Sequence, residues 1–368
     1  MKILFVIDSL GSGGGQRMLV NIANQLSSIH NVSIFLYNNK SNFFKEFLCQ
    51  EVSVFESVRY KKNGFDFNSL KILISRIKKN DVVISFLSTA NIYCALAKIF
   101  AFRTTHIATE LSIARKEESI FGRVMANLAN YLAKHIICNT HFQANYIRAL
   151  PGMKKKVSVI WNGVYQYNYK PRSHKNPQEF LFLVVARVAY PKNGMRLLHA
   201  LHIFYERNKF IPSIIWIGRD DNSSKLSIIM KQKMISFLNH HPEISKKFSF
   251  GGENKDIGSF YESADALLIP SIYEGVPTVL CEAMFAGCPI IATKIADNEK
   301  ILGSNEKLGF LCNPFSPIDI CLAIERRIKI SDKNLKKMTD NARIFARKHF
   351  SISKMANQYE KIIKKSLR

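Results

Sequence analysis

The chain has 368 residues, 47% of them hydrophobic and 22% charged, which suits two globular domains and excludes a disordered chain. Its formal net charge is +25, with 21 Lys/Arg against 9 Asp/Glu over residues 1–165 and 32 against 19 in the remainder, so no single tail carries it. Nucleic acid and anionic membranes both attract such a surface. Without a helix-turn-helix, zinc-finger or RNP-like pattern, nucleic acid is set aside and an anionic membrane face is expected.

The longest apolar runs, 93–102 and 180–188, fall far short of the ~20 residues that a membrane-spanning helix needs. Residues 1–7 run into Asp8 and a glycine cluster without a cleavage-type segment, so they read as a first strand, not a signal. Seven scattered cysteines with no C-x-x-C pair indicate reduced, cytosolic usage and no zinc site.

From the start to about residue 165, short apolar runs at 3–7, 32–37, 52–55, 82–86, 106–108, 135–138 and 157–160 alternate with amphipathic stretches. The alternation restarts at 180–186, 214–217, 247–250, 266–269, 289–292 and 309–312. This is the pattern of α/β domains built on buried parallel strands, with ligands expected at the carboxyl ends of those strands. Between the two sets, residues 162–178 lack periodicity and read as a linker. Residues 332–368 read as charged and helical, with a break near Phe350.

After the first strand comes Leu10-Gly-Ser-Gly-Gly-Gly-Gln-Arg17, opening an amphipathic helix. Gly14 and Gly15 would let backbone approach a ligand at that helix N-terminus, although a tight βα turn reads equally well. The stretch from Val58 to Lys79 combines basic and aromatic residues and could lie on a bilayer surface; the alternative is an ordinary solvated helix face. Glu110 ends the strand in Thr104–Ser112, whereas His106 falls inside it and reads as a core residue.

In the second half, Arg187 follows a strand and Lys192 comes five residues later; bidentate guanidinium and mobile ammonium suit a departing diphosphate. Gly218-Arg-Asp-Asp-Asn222 reads as a βα loop, not a metal site, and 253–257 as another strand-end loop. Then Ser271–Gly287 turns through Gly275 and Pro277, with Pro277 at the entry of a helix that stops at Gly287. The amides of Thr278 and Val279 would point unpaired into the turn, a ready diphosphate site. Glu274 in the turn and Glu282 on the helix suit sugar or ribose hydroxyls better than phosphate.

The run Glu274-Gly-Val-Pro-Thr-Val-Leu-Cys-Glu-Ala-Met-Phe-Ala-Gly-Cys-Pro-Ile-Ile-Ala-Thr293 closely resembles the E-x7-E segment of glycosyltransferase family 4, retaining nucleotide-sugar enzymes of GT-B fold. Ala186–Gly194, Val159–Val164 and the glycine-rich start extend the resemblance in family order over nearly the whole chain. It implies two Rossmann-like domains, 1–165 and 166–349, facing a cleft, with a helix at 350–368 crossing back to the first. The donor, a UDP-sugar foremost, would lie on the second domain, with its diphosphate over Arg187, Lys192, Gly275, Val276, Thr278 and Val279. Glu282 would take the ribose hydroxyls and Glu274 the sugar ring. Gly14 and Gly15 would lie near the donor phosphate; Gln16 replaces the family's usual acidic residue and Arg17 is retained. Glu110 would fill the place where many family members carry a histidine close to the donor sugar, and Asn162–Val164 would lie near a hinge. The resemblance further implies transfer without a metal ion or other cofactor. The acceptor would be a saccharide, foremost one linked to polyprenyl diphosphate at the inner face of a bacterial membrane, as in O-antigen or capsule assembly. Two rivals are a GT-B nucleotide-sugar epimerase, which the paired glutamates argue against, and a non-catalytic membrane scaffold, against which Arg187, Lys192, Glu274 and Glu282 together argue.

Overall fold

The computed structural model describes residues 1–38, 42–57, 65–111, 120–166 and 179–368. Contacts divide the chain into two units, Met1–Val164 with Phe350–Arg368, and Tyr165–His349.

The first unit is built on seven strands: β1 (Lys2–Ile7), β2 (Asn31–Leu36), β3 (Ser53–Glu56), β4 (Val82–Phe86), β5 (Thr105–Glu110), β6 (His135–Cys138) and β7 (Val157–Val159). They lie in the order β3-β2-β1-β4-β5-β6-β7, every pair parallel. A parallel sheet needs crossover helices, which cover both faces, and so its strands are apolar on both sides; Ile3 to Ile7 are all fully buried. The one internal histidine of β5, His106, is accommodated because its Nε2 lies 2.8 Å from the Ser85 hydroxyl. Burial pushes the imidazole down to about 3, so it is a neutral core residue.

The C-terminal helix Ile352–Leu367 belongs to this unit and packs on the helix Gly14–Ser27, with Met355, Tyr359 and Ile363 joining the core of Met18, Leu19 and Ile22. Where the chain returns, Val164 N–H donates to Phe350 C=O at 2.9 Å. Gly163 is required there: a Cβ would stand 2.8 Å from Ile352 Cα and 2.9 Å from Ser351 C=O. The Asn-Gly-Val of 162–164 is therefore the seam where the last helix rejoins the first sheet. The helix Phe67–Ile77 buries Ser69, Leu73 and Ile77 and keeps Lys71 on the exposed side; residues 58–64 of the basic, aromatic stretch lie outside the described residues.

In the second unit six parallel strands follow: β8 (Leu181–Val185), β9 (Ser213–Ile217), β10 (Phe248–Gly252), β11 (Ala266–Ile269), β12 (Ile290–Thr293) and β13 (Phe310–Cys312). Their order is β10-β9-β8-β11-β12-β13. The chain runs outward from β8 on one side and returns at β11 on the other. The carboxyl ends of β8 and β11 thus flank the topological switch point, where loops diverge and leave a crevice. The helices Gly194–Asn208 and Pro317–Lys329 cover this sheet and pack on one another.

Glu325 joins those two helices, accepting from Arg207 Nε at 2.8 Å and Asn208 Nδ2 at 3.1 Å. The Arg207 hydrogen bond outweighs burial and holds the Glu325 carboxyl at about 2, against an ordinary 4.5. A folded value below the unfolded one means stabilisation that is full above the ordinary carboxylate range and is lost as pH falls toward 2. Glu325→Gln is expected to lower the melting temperature at neutral pH, the gap to wild type closing between about pH 5 and about pH 2. Thermal melts across that range check it, and a gap that persists at the acid end would assign the effect to packing.

Candidate active site

The loops after β8 and β11 carry the second-half candidates. Arg187 sits where the β8 and β9 loops are pressed together. Trp216 Nε1 donates to Ala186 C=O at 2.8 Å, and Val188 N–H to Arg219 C=O at 2.9 Å. Gly218 has φ +147°, and a Cβ there would stand 2.0 Å from Ala186 C=O, so only glycine lets the loops close. The half-exposed Arg187 guanidinium lies 3.4 Å from Asp221 Oδ2. Burial works against the Asp221 carboxylate, but bonds from Ser223 and Ser227 and the Arg187 charge outweigh it and hold the group below its usual range. Asp221 was not singled out in the sequence, because Gly-Arg-Asp-Asp-Asn carries no sign of which acid turns inward. Its neighbour Asp220 is 3.0 Å from Lys231 Nζ, so both acids of this βα loop are paired with cations.

Lys192 ends a single turn of 3-10 helix, Tyr190–Lys192, and is followed by Asn193 in the left-handed region (φ 62°). Asn193 is buried, and its Nδ2 donates to Pro270 C=O and Pro314 C=O, both at 2.8 Å, while Oδ1 accepts from Arg196. Ile272 N–H adds a bond to Pro191 C=O at 2.9 Å. The β8 loop is thereby tied to the β11 loop, and the Lys192 ammonium meets the Glu274 carboxylate directly. Ser271 Oγ donates to the same oxygen, Glu274 Oε1, at 2.9 Å. Both charged side chains are mostly buried, so this is an ion pair at the floor of a turn and not a solvated surface pair.

Beyond Gly275 and the buried Val276, the helix Thr278–Ala286 starts from Pro277 with no side-chain cap. Its first carbonyl, Pro277 C=O, accepts from Leu280 and Cys281 (3.1 and 3.4 Å), so the Thr278 and Val279 amides precede the ladder at the positive helix end. At the other end Gly287 adopts φ +71°, where a Cβ would lie 2.4 Å from the Arg343 guanidinium. Arg343 Nη2 donates to Ala286 C=O at 2.8 Å, placing a cation on the negative helix end. Glu282, on the face of Thr278, is buried, and its Oε2 accepts from the Tyr261 hydroxyl at 3.0 Å.

The remaining candidates lie in the first unit, at the carboxyl ends of its own strands. Gly13 caps the helix Gly14–Ser27, and Gly14 is its first residue. A Cβ on Gly15 would be in ordinary contact, 3.4 Å, with Leu87 and Leu111. Gln16 Nε2 donates to Asp8 Oδ1 at 3.2 Å; the Asp8 carboxyl is pushed up by burial, and a second acid at 16 would add repulsion. Glu110 is buried at the end of β5, with Asn130 Nδ2 donating to its Oε1 at 2.8 Å. The structure thus brings Lys192 and Glu274 together, sets Arg187 on the same loop as Lys192, and holds Gly14, Gly15 and Glu110 in the other unit. Among the described residues, the ligand atoms close enough to share a metal ion are those of His202, His241 and Glu243, none of them in these loops.

Comparison with known proteins gives the family and the fold. The family model described as Glycosyltransferase Family 4 matches residues 12–165, and that described as Glycosyl transferases group 1 matches residues 166–345. The chain is 28% identical over 379 residues, 99% of its own length and 98% of the relative's, to the GalNAc-alpha-(1->4)-GalNAc-alpha-(1->3)-diNAcBac-PP-undecaprenol alpha-1,4-N-acetyl-D-galactosaminyltransferase of Campylobacter jejuni. Among solved structures, Anabaena HepE in complex with UDP and glucose matches with a TM-score of 0.83 at 20% identity, over 99% of this chain and 100% of that one. The sucrose-phosphate synthase of Thermosynechococcus elongatus matches at 0.83 and 14% identity, over 99% and 98%. With one family model over each half and this fold throughout, the chain belongs to the glycosyltransferases of GT-B fold, a family 4 first half joined to a group 1 second half.

Proposed function

We propose that the protein transfers a sugar, with retention, from a nucleotide sugar to a saccharide carried on polyprenyl diphosphate, in assembly of a bacterial surface polysaccharide such as O-antigen or capsule. A UDP-sugar is the donor the reading favours. The observation that carries it is the pairing of Arg187 and Lys192 on one loop with an uncapped helix N-terminus on the loop tied to it, at the switch point of a parallel sheet. Support from relatives is consistent: the Campylobacter relative is named for an undecaprenol-diphosphate acceptor, and HepE was solved with UDP and glucose.

In this reading the diphosphate lies over Arg187, Lys192 and the Thr278 and Val279 amides, Glu282 takes the ribose hydroxyls, and Glu274 with Ser271 orients the donor sugar. As the bond from the anomeric carbon to the phosphate oxygen breaks, its electron pair passes to that oxygen. The acceptor hydroxyl attacks the same face, and its proton moves to the leaving phosphate. Fixed donors aimed at the growing charge are each worth about 3–4 kcal/mol. In this reading they do what a divalent cation would do, so the reaction is expected to run in the presence of a chelator. The Lys192 ammonium that meets Glu274 is the group a diphosphate would draw away, freeing the carboxylate for sugar hydroxyls. Glu110, in the first unit, is proposed to face the acceptor side.

Calorimetry with a panel of UDP-, GDP- and ADP-sugars, without divalent metal, tests the donor site. One nucleotide is expected to bind, and Arg187→Ala to weaken it by about tenfold to a hundredfold, the worth of hydrogen bonds to a charged group. No binding to any of them, or binding only with added metal, would overturn the reading. Glu274→Gln separates the roles: kcat is expected to fall by about a hundredfold or more while nucleotide affinity shifts less than about threefold. Steady-state kinetics beside calorimetry checks it; equal losses in both would make Glu274 a mere support for Lys192.

A further inference from the structure

The helix Ile120–Leu132 faces the wrong way for a helix of a water-surrounded domain. Its buried residues are Ala126, Ala129 and Asn130, and it packs on the neighbouring helix Ser88–Phe100. Its large apolar side chains, Ile120, Phe121, Val124, Leu128 and Leu132, are exposed among the described residues, Phe121 by 75%. At 3.6 residues per turn these five fall within an arc of about 120°, opposite the three buried residues, and make a stripe roughly 18 Å long. Ile99, Phe100 and Phe102, at the end of the neighbouring helix, are exposed as well. A contiguous apolar surface of this kind marks an interaction site.

The charge around the stripe says which. From residue 120 to residue 166, all of them described, there is no Asp or Glu at all, while Arg123, Lys134, Arg148 and Lys154–Lys156 fall in that interval. Lys156 Nζ donates to Tyr131 C=O at 3.0 Å and to Ala133 C=O at 3.3 Å, which seats the triple-lysine run at the end of the stripe. Arg103 lies over the exposed Phe102 ring, 5.8 Å from its centroid. A second copy of the chain would bring the same positive charge against this face, and an apolar protein partner would not call for its cations. A bilayer with anionic headgroups answers both features: acyl chains for the stripe, phosphates for the basic rim.

We propose that the face formed by the helix Ile120–Leu132 and the end of the helix Ser88–Phe100, with Lys154–Lys156 at its rim, is the surface by which the protein rests on an anionic lipid bilayer. It deepens the reading of a lipid-linked acceptor and rests on that reading only for the use the reaction makes of it. It also moves the membrane face away from the helix Phe67–Ile77, which turns Leu73 and Ile77 into the core.

Flotation of the full chain with vesicles of phosphatidylcholine, alone or with about 30% phosphatidylglycerol, at low and high salt, tests it. The wild type is expected to float with the anionic vesicles, more weakly at high salt. The triple variant Phe121→Asp, Val124→Asp, Leu128→Asp is expected to lose about tenfold or more of the bound fraction. Phe315→Asp, which removes another largely exposed aromatic, in the other unit, is expected to leave flotation unchanged. Circular dichroism and nucleotide-sugar binding show that the triple variant is folded. Failure of the wild type to float, equal flotation of the triple variant, or a wild-type dimer that the triple variant dissociates would each overturn the proposal. If flotation fails while the Arg187-dependent nucleotide affinity persists, only the membrane face falls; if that affinity is absent while flotation holds, the transfer reading falls instead.

Discussion

One buried amide holds the second unit's loops in register. Asn193 uses both hydrogens of its Nδ2 on Pro270 and Pro314, in the loops after β11 and β13, while its Oδ1 accepts from Arg196 in the helix that follows it, so the β8 loop is tied to two others. It can do so because it sits in the left-handed region, a conformation that asparagine tolerates better than most side chains. Gly194, next in the chain, lets Met234 pack against the backbone: a Cβ there would stand 2.4 Å from its Sδ and displace that side chain. Backbone conformation, buried hydrogen bonds and close packing thus coincide on two adjacent residues. The position of Lys192 follows from them.

The Lys192–Glu274 contact is a consequence of that register and not a source of stability in its own right. Mostly buried ion pairs repay their desolvation only when the surroundings complete their hydrogen bonding, and here Ser271 supplies part of it. The same β11 loop leads into a helix whose N-terminus is left uncapped while its C-terminus is neutralised by Arg343. A helix capped only at its negative end keeps its positive end available to an anion. With Arg187 held in place by Asp221 and the closed β8–β9 turn, the cationic groups around the switch point are prearranged, so little reorganisation is left for the moment a charge must be met.

The strands were readable because a parallel sheet buried on both faces leaves uninterrupted apolar runs. β5 extends on both sides of the apolar run 106–108, from Thr105 to the Glu110 expected at its end. Its polar positions are satisfied internally, Thr109 Oγ1 donating to Ser85 C=O at 2.9 Å and His106 pairing with the Ser85 hydroxyl, and such pairings cannot be seen in a linear sequence. The paired glutamates and the basic loop were legible from residue order, being local motifs on either side of a turn. Asp221 and Asn193 were not, because what distinguishes them is a partner from another strand's loop. The helix Ile120–Leu132 shows a different limit. Periodicity gives an apolar face but not its direction, and only packing shows that Ala126 and Ala129 face inward while the larger side chains face out.

That outward face also bears on the charge of the whole chain. At physiological ionic strength electrostatic influence decays over about 8 Å, so a bound diphosphate would respond to Arg187, Lys192 and the nearby amides and hardly to cations elsewhere on the surface. The excess of 53 Lys/Arg over 28 Asp/Glu is far more than a donor site of two cations requires. Diffuse positive charge acts strongly only on a partner that is itself extended and negative. A carboxylate-free interval of the first half, beside an apolar stripe that the fold leaves uncovered, puts part of that charge where an extended anionic surface could use it. The cations of this chain are therefore of two kinds: Arg187 and Lys192 are fixed against Asp221 and Glu274 at a switch point, and others lie at the surface beside the exposed stripe.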